Sequence, residues 1–202
     1  MKPAVADATE VSNAAGPFAV PWPDPLAPLA VPCRAELPDD PLEAAWQVLD
    51  HVLDPEVPAL SVRDLGIVRA VRPLQAAGDG LEVVLTPTYS GCPATERIAQ
   101  QVRSALEDAG LGPVQVAFQR APAWTSDWIS ESGRRKLQAS GIAPPGACGS
   151  AGQTIVWHSK AVACPRCGSA QTERLSAFGT TACKSLHGCL ACREPFEHFK
   201  PI

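Results

Sequence analysis

Four cysteines near the end of the chain have the spacing of a metal site. Cys164 pairs with Cys167 and Cys189 pairs with Cys192, with two residues inside each pair. A CxxC turn aims two sulfurs at one point, and two such turns on facing hairpins complete a tetrahedron. Four thiolates match zinc, with an iron–sulfur cluster as the alternative. We therefore predict that these four cysteines bind a metal.

A fifth cysteine, Cys183, lies between the two pairs. It could replace one of the four ligands, supply a redox thiol or pack against the ribbon, and its position leaves these alternatives open. Disulfides are not favoured, because residues 1–40 show no basic region followed by a continuous apolar segment. We expect a cytoplasmic protein, in which paired cysteines bind metal more often than they form bridges.

Cys92 is the second residue whose surroundings suggest chemistry. It stands between Gly91 and Pro93 where a predicted strand turns into a predicted helix, and Pro93 fits the first helical position. Cys92 would then be at or near the N-cap, where free N–H groups and the helix dipole make a thiolate a better metal ligand and nucleophile. Thr86 and Thr88 alternate along the incoming strand and are placed to present hydroxyls nearby. The alternative is a small residue chosen for packing at a crowded turn.

The elements that position Cys92 follow from the pattern of residues 41–120. Asp40 and Pro41 are typical of a helix start, as N-cap and first helical residue. Hydrophobic residues then recur with helical and alternating periods in turn. The periods predict a helix from Pro41, a strand after Gly66, a strand over 81–88, a helix over 94–109 and a strand over 114–119. This order is typical of a small two-layer α/β sandwich.

The cysteine module is expected to follow as a separate unit. The predicted divisions are a disordered Pro/Ala-rich tail (1–40), an α/β domain (41–142), a linker (143–153) and a zinc β-ribbon (154–202) with strands near 154–162, 172–177 and 195–199. The predicted fold class is therefore α+β, a two-layer α/β sandwich with a C-terminal four-cysteine zinc β-ribbon. A ribbon this small cannot bury enough core alone, so bound metal would supply folding energy.

Composition and charge exclude several classes of protein. The 202 residues are 46% hydrophobic but contain no apolar run of the length that spans a membrane. Residues 1–110 carry sixteen acidic and seven basic side chains, whereas residues 111–202 carry five acidic and ten basic ones. The basic half has no stripe of Lys and Arg with interleaved aromatic residues, so nucleic-acid binding is not favoured. Docking onto an acidic protein surface remains compatible with this charge.

Two sets of short motifs resemble known families. The front set resembles the SufT/MIP-type iron–sulfur assembly domain, and consists of DPEVP (54–58), DLG (64–66), TPT (86–88) and GCP (91–93). The rear set looks like the tail of the PaaD family, and consists of CPRCGS (164–169), FGTTACK (178–184) and CLACREPF (189–196). Together they cover about 41–202 in the right order. The proline-rich front departs from the family pattern, as does the end 200–202, where a cysteine is expected.

The resemblance implies an accessory protein of aerobic phenylacetate degradation. Such proteins are expected to assist maturation or insertion of iron or iron–sulfur centres in the phenylacetyl-CoA epoxidase, so its di-iron or reductase subunit is the expected partner. A non-catalytic assembly factor is implied rather than an enzyme; a redox or iron–sulfur-carrying oxygenase subunit is the alternative. Cys92 would handle iron or a cluster transiently. The residues expected around it, which also have structural interpretations, are Asp54, Glu56, Asp64 and Thr88.

Overall fold

The computed structural model describes residues 31–74, 80–89, 91–146 and 161–202. The tail up to residue 30, most of the predicted linker and nearly all of the predicted strand 154–162 lie outside these ranges. The described residues form three α-helices and seven strands. In chain order they are α1 (Pro41–Leu49), β1 (Val68–Pro73), β2 (Leu81–Leu85), α2 (Thr95–Asp108), β3 (Val114–Phe118), α3 (Glu131–Ala139), β4 (Ile142–Ala143), β5 (Thr172–Ser176), β6 (Lys184–Cys189) and β7 (Pro195–Phe199).

The first five of these elements form the predicted α/β sandwich, and their order is confirmed. The sheet has the order β1-β2-β3, with β1 and β2 antiparallel and β2 and β3 parallel. Helix α1 begins where predicted, because the Asp40 side chain accepts a hydrogen bond of 3.1 Å from the N–H of Leu42. Helix α2 buries the apolar face of Ile98, Val102 and Leu106 against the sheet.

A second sheet has the strand order β4-β7-β6-β5. Strand β6 was not predicted, since its sequence KSLHGC has no alternating apolar residues. It is nevertheless the central strand of the hairpins β5–β6 and β6–β7, and its polar side chains are buried. The cost of burying the Lys184 ammonium group is offset by an ion pair of 2.9 Å with Glu197 on β7. The short strand β4 adds to β7 in parallel.

The two sheets are joined by a shared hydrophobic core. Phe199 and Cys183 both come from residues 161–202, the C-terminal unit, and belong to the same buried cluster as residues of helices α1 and α2. The Phe199 ring lies 6.2 Å from that of Trp124, whose indole N–H donates to the carbonyl of Leu65 at 2.9 Å. The C-terminal unit is therefore docked on the α/β sandwich by buried aromatic contacts.

Membrane insertion through a helix finds no support in the described ranges. None of their helices combines the length and the apolar character needed to cross a bilayer.

Candidate metal centres

The four predicted ligands of the ribbon come together at one point. The Sγ atoms of Cys164, Cys167, Cys189 and Cys192 all lie within 4.8 Å of one another. The Cys167–Cys189 sulfur distance is 3.5 Å and the Cys164–Cys192 distance is 3.8 Å. Zinc–sulfur bonds of about 2.3 Å place the sulfurs of a tetrahedron about 3.8 Å apart, so the donor set fits such an ion. Within the described residues no other group of three or more potential ligands is this compact.

The two halves of this site are built by the same local geometry. In each half the residue after the second cysteine has a left-handed backbone, with φ of +74° at Gly168 and +65° at Arg193. Its N–H donates to the carbonyl of the first cysteine, at 2.9 Å onto Cys164 and 2.9 Å onto Cys189. Glycine adopts this conformation at no cost, and Arg193 tolerates it inside a tight turn. Each turn thereby directs both of its sulfurs inward.

The electrostatics of the ribbon site favour a cation among the sulfurs. The backbone N–H of Cys192 stabilises the Cys189 thiolate and lowers the pKa of that thiol to about 6. The N–H of Glu194 likewise favours the Cys192 thiolate, but desolvation and the neighbouring sulfurs raise the pKa of Cys192 to about 12. One thiol of the group therefore stays protonated unless a metal ion supplies positive charge. A divalent ion would hold all four cysteines as thiolates. If the ion is zinc, it would cross-link them tetrahedrally without redox chemistry.

A second candidate site is a cavity of about 30 Å³ at the edge of the α/β sandwich. It opens where β2 ends and α2 begins, and the C-terminal unit closes one side of it. The residues with polar or sulfur atoms that line it are Asp54, Glu56, Thr86, Thr88, Cys92, Thr95 and Cys183. The structure thus places Asp54, Glu56, Thr88 and Cys92 in the wall of one cavity.

Cys92 reaches this cavity from a turn and not from a helix cap. Helix α2 begins at Thr95, with Ala94 in the cap position, so, contrary to the prediction, Pro93 is not its first residue and Cys92 is not its N-cap. The carbonyl of Cys92 accepts from both the N–H (3.3 Å) and the hydroxyl (2.8 Å) of Thr95, which closes a turn before the helix starts. The half-buried thiol lies beside the first turn of α2 and borders the cavity.

The carboxylates of the cavity are held in a loop after α1. Asp54 accepts hydrogen bonds from the N–H groups of Glu56 (2.9 Å) and Val57 (2.7 Å). Desolvation raises the pKa of Asp54 in spite of these two bonds. Desolvation and the neighbouring Asp54 charge also raise the pKa of Glu56. Both groups therefore hold a proton more readily than exposed carboxylates do.

Cys183 borders the same cavity and not the ribbon site. Its side chain is 5% exposed, and its sulfur lies 3.0 Å from the hydroxyl of Thr181. Its carbonyl accepts from the N–H of Lys200, which fixes the backbone just before β6. Desolvation raises the pKa of the Cys183 thiol. The sequence left open whether Cys183 replaces a ribbon ligand, and the structure does not place it among those ligands.

Asp64 lies outside the cavity, in a network that holds helix α3. Its carboxylate accepts from the N–H (3.2 Å) and hydroxyl (3.1 Å) of Ser61 and from the hydroxyl of Ser130 (3.0 Å), the N-cap of α3. Lys136 forms an ion pair with it. Burial disfavours the charge, yet these partners lower the pKa of Asp64 overall. The structural interpretation of Asp64 is therefore the one that the contacts favour.

The hydroxyl of Thr86, predicted to lie near Cys92, is buried in the cavity wall. Thr86 is 1% exposed, and its hydroxyl oxygen has no hydrogen-bond partner within the ranges that the structure describes. Buried hydroxyls are nearly always paired, so an orphan in a cavity wall points to a missing ligand or water. Thr86 follows a buried strand and precedes Pro87, and this position is the sequence signal for its place in the site. The burial of its hydroxyl could not be predicted from spacing.

Comparisons with known proteins follow this division of the chain. Residues 42–118 match a family model described as "Iron-sulfur cluster assembly protein", and residues 148–200 match the "PaaD zinc beta ribbon domain". The class of protein defined by fold and sites is thus an iron–sulfur assembly domain carrying a metal-binding ribbon. An Escherichia coli (strain K12) protein, named as a putative subunit of 1,2-phenylacetyl-CoA epoxidase, is 46% identical over 158 residues, 78% of this chain and 91% of its own. The chain therefore belongs to the PaaD family.

Solved structures resemble parts of this chain. A domain of unknown function from Bacillus anthracis is 22% identical, with 48% of this chain and 91% of that one covered and a TM-score of 0.44. A Mycobacterium tuberculosis protein, described as associated with Fe–S complex assembly and repair, is 31% identical, with coverages of 54% and 93% and a TM-score of 0.32. Both TM-scores lie below 0.5, so the family assignment rests on the sequence matches.

Proposed function

We propose that this protein is a cytoplasmic assembly factor that helps to mature or insert iron or iron–sulfur centres in a phenylacetyl-CoA epoxidase. The observation that carries the proposal is the cavity whose wall contains Cys92, the buried carboxylate of Asp54 and the half-buried Glu56. Thiolates and carboxylates are ligands of iron, and three or fewer of them hold an ion less tightly than a complete cage. The Escherichia coli relative, named as a putative epoxidase subunit, supports the choice of client.

The two candidate centres have different roles in this proposal. The ribbon site of residues 154–202 holds zinc permanently and stabilises the C-terminal sheet, because four thiolates leave no open coordination position. The cavity in residues 41–142 holds the transferred metal through Cys92. Cys92 is half-buried and so can reach a client protein, whereas Asp54 lies deeper. The client surface belongs to the di-iron or the reductase subunit.

The experiment is co-expression of the epoxidase subunits with variants of this protein. Cys92→Ser should abolish maturation and leave the fold and ribbon metal intact, because it removes one sulfur from the cavity only. Cys33→Ser is the matched control, since Cys33 is an exposed thiol outside both sites. Epoxidase activity and iron per purified complex are the readouts. Full epoxidase activity after co-expression with Cys92→Ser contradicts the proposal, provided that the circular dichroism spectrum and zinc content of the variant match those of the wild type.

A redox or iron–sulfur-carrying subunit is the second candidate, because four thiolates also suit a cluster. Purification without oxygen separates the two functions. A resident cluster gives a coloured protein with inorganic sulfide that stays in the active complex in stoichiometric amount. The assembly factor that we propose is colourless, contains zinc and is dispensable once the epoxidase has been matured.

A further inference from the structure

We infer that the cavity is a two-thiolate site for a single soft divalent ion such as Fe²⁺, with Cys92 supplied by the α/β sandwich and Cys183 by the C-terminal unit. This inference rests on the proposed function and specifies its cargo and its second ligand. The ribbon would then do more than stabilise itself, because its sheet delivers half of the thiolates of the transfer site.

The first support is that the two units share the cavity. Cys92 precedes α2, whereas Cys183 precedes β6, more than ninety residues later in the chain, and both line the same space. Phe199 of β7 lines it too and is packed into the common core against Trp124. Docking of the C-terminal sheet therefore fixes the position of Cys183 relative to Cys92. A disordered ribbon would leave the cavity with one thiol.

The second support is the orphan hydroxyl of Thr86. It is buried in the cavity wall with no partner among the described residues, although a native structure rarely keeps such a group unpaired. A water molecule bound to a metal ion in the cavity would donate to this oxygen. Thr86 directly follows β2 and is separate from both cysteines, so its hydroxyl points to a ligand independently of the thiols.

The third support is the size of the cavity. Its volume of about 30 Å³ exceeds the roughly 10–15 Å³ that one bound water molecule needs. The cavity therefore has room for one ion with a bound water molecule.

The ligand set also suits release. Outside the ribbon, no three potential ligands in the described part of the chain lie as close together as in that site. A divalent ion would bind Cys92 and Cys183 with loss of both thiol protons to solvent, so that two thiolates balance its charge. Asp54 and Glu56 line the same cavity, and a bound ion would leave its remaining positions to water or to a ligand of the client. Such an ion can be passed on without dismantling a cage.

The first measurement counts thiolates in the wild-type protein whose ribbon is filled with zinc. Co²⁺ is added without oxygen as a spectroscopic substitute for Fe²⁺, since thiolates give cobalt an intense near-ultraviolet charge-transfer band. The same protein refolded with Co²⁺ in the ribbon calibrates the band for four thiolates. We expect one Co²⁺ per chain with half of that intensity, displaced by Fe²⁺ in the absence of sulfide and with zinc retained. A band worth one thiolate or none overturns the two-thiolate site, and uptake of iron only together with sulfide overturns the single ion.

Variants assign the two thiolates. Cys92→Ser and Cys183→Ser should each halve the band and weaken Co²⁺ binding by at least about tenfold, and Cys33→Ser should change neither. If Cys183→Ser does not fold, the band of Cys183→Ala and the number of thiolates counted in the wild type still test the two-thiolate site. A full band in Cys183→Ser, with maturation still lost in Cys92→Ser, overturns this inference and leaves the proposed function standing. Maturation by Cys92→Ser, with two thiolates counted in the wild type, contradicts the proposed function and not the site.

Discussion

Asp64 is the carboxylate whose substitution best separates structural from metal-handling roles. Asp64→Asn keeps the shape of the side chain but removes its charge and turns an amide group towards the donors of Ser61. We expect a large loss of stability with metal binding in the cavity unchanged, because Asp64 does not line the cavity. Asp50→Asn is the matched control, since Asp50 forms an exposed ion pair with Arg63 at 2.6 Å.

The magnitude follows from the contacts of the carboxylate. It is 6% exposed and accepts three hydrogen bonds of 3.0–3.2 Å from Ser61 and Ser130, besides the ion pair with Lys136. Hydrogen bonds to a buried charge contribute about 1.5–3 kcal/mol each and do not add fully, so Asp64→Asn should lower the free energy of unfolding by about 3 kcal/mol. Asp50→Asn should lower it by about 0.5 kcal/mol, as for other exposed pairs.

Urea unfolding followed by circular dichroism, together with Co²⁺ titration, measures both consequences. The pH dependence gives a further check: the pKa of Asp64 is lowered from its ordinary 3.8 by Lys136, Ser61 and Ser130, against desolvation. The stabilisation is therefore complete above about pH 4 and is lost as pH falls through the lower folded pKa. The difference between wild type and Asp64→Asn should shrink in that acidic range. Unchanged stability at pH 7 with impaired Co²⁺ binding refutes the structural assignment of Asp64.

Three further predictions concern the cavity and the ribbon. Thr86→Val should raise the free energy of unfolding of the metal-free protein by about 1 kcal/mol in urea titrations, because it removes an unpaired hydroxyl; a loss of that size contradicts this. Glu197→Gln should destabilise the C-terminal sheet by about 3 kcal/mol, since Lys184 stays buried without its charge partner, and unaltered hydrogen exchange in β6 would speak against it. Cys164→Ser should release the ribbon metal and expose β5–β7 to exchange; metal content equal to the wild type excludes Cys164 as a ligand.

The sequence predicted the α/β sandwich well because its signals are local. Asp40 and Pro41 mark the start of α1, and the spacing of Ile98, Val102 and Leu106 marks the buried face of α2. The ribbon ligands could be predicted for the same reason, since two CxxC turns each fix their own geometry. Strand β6 escaped prediction because its burial is made possible by pairing with β5 and β7 and not by apolar residues.

The site was predicted less completely than the fold. Cys92, Asp54 and Glu56 line one cavity, in line with their grouping, but the place of Cys183 depends on docking of two units far apart in sequence. Spacing left the role of Cys183 open, whereas packing of the C-terminal sheet places it in the wall of the cavity. Asp64, for which a structural interpretation was also open, belongs to the DLG motif but lies outside the cavity. Besides the nearby Ser61, its donors include Ser130 and Lys136 at α3, some seventy residues away, and spacing alone does not reveal such contacts.

The central claim, that this protein passes iron to an epoxidase through Cys92, is tested most directly by a transfer measurement. Protein loaded with ⁵⁷Fe²⁺ is mixed without oxygen with iron-depleted epoxidase and a chelator that captures free iron. The claim predicts that ⁵⁷Fe and activity appear together in the epoxidase with wild-type and Cys33→Ser protein, and that neither appears when Cys92→Ser is used. Equal transfer by Cys92→Ser, or capture of all the iron by the chelator in every sample, would contradict it.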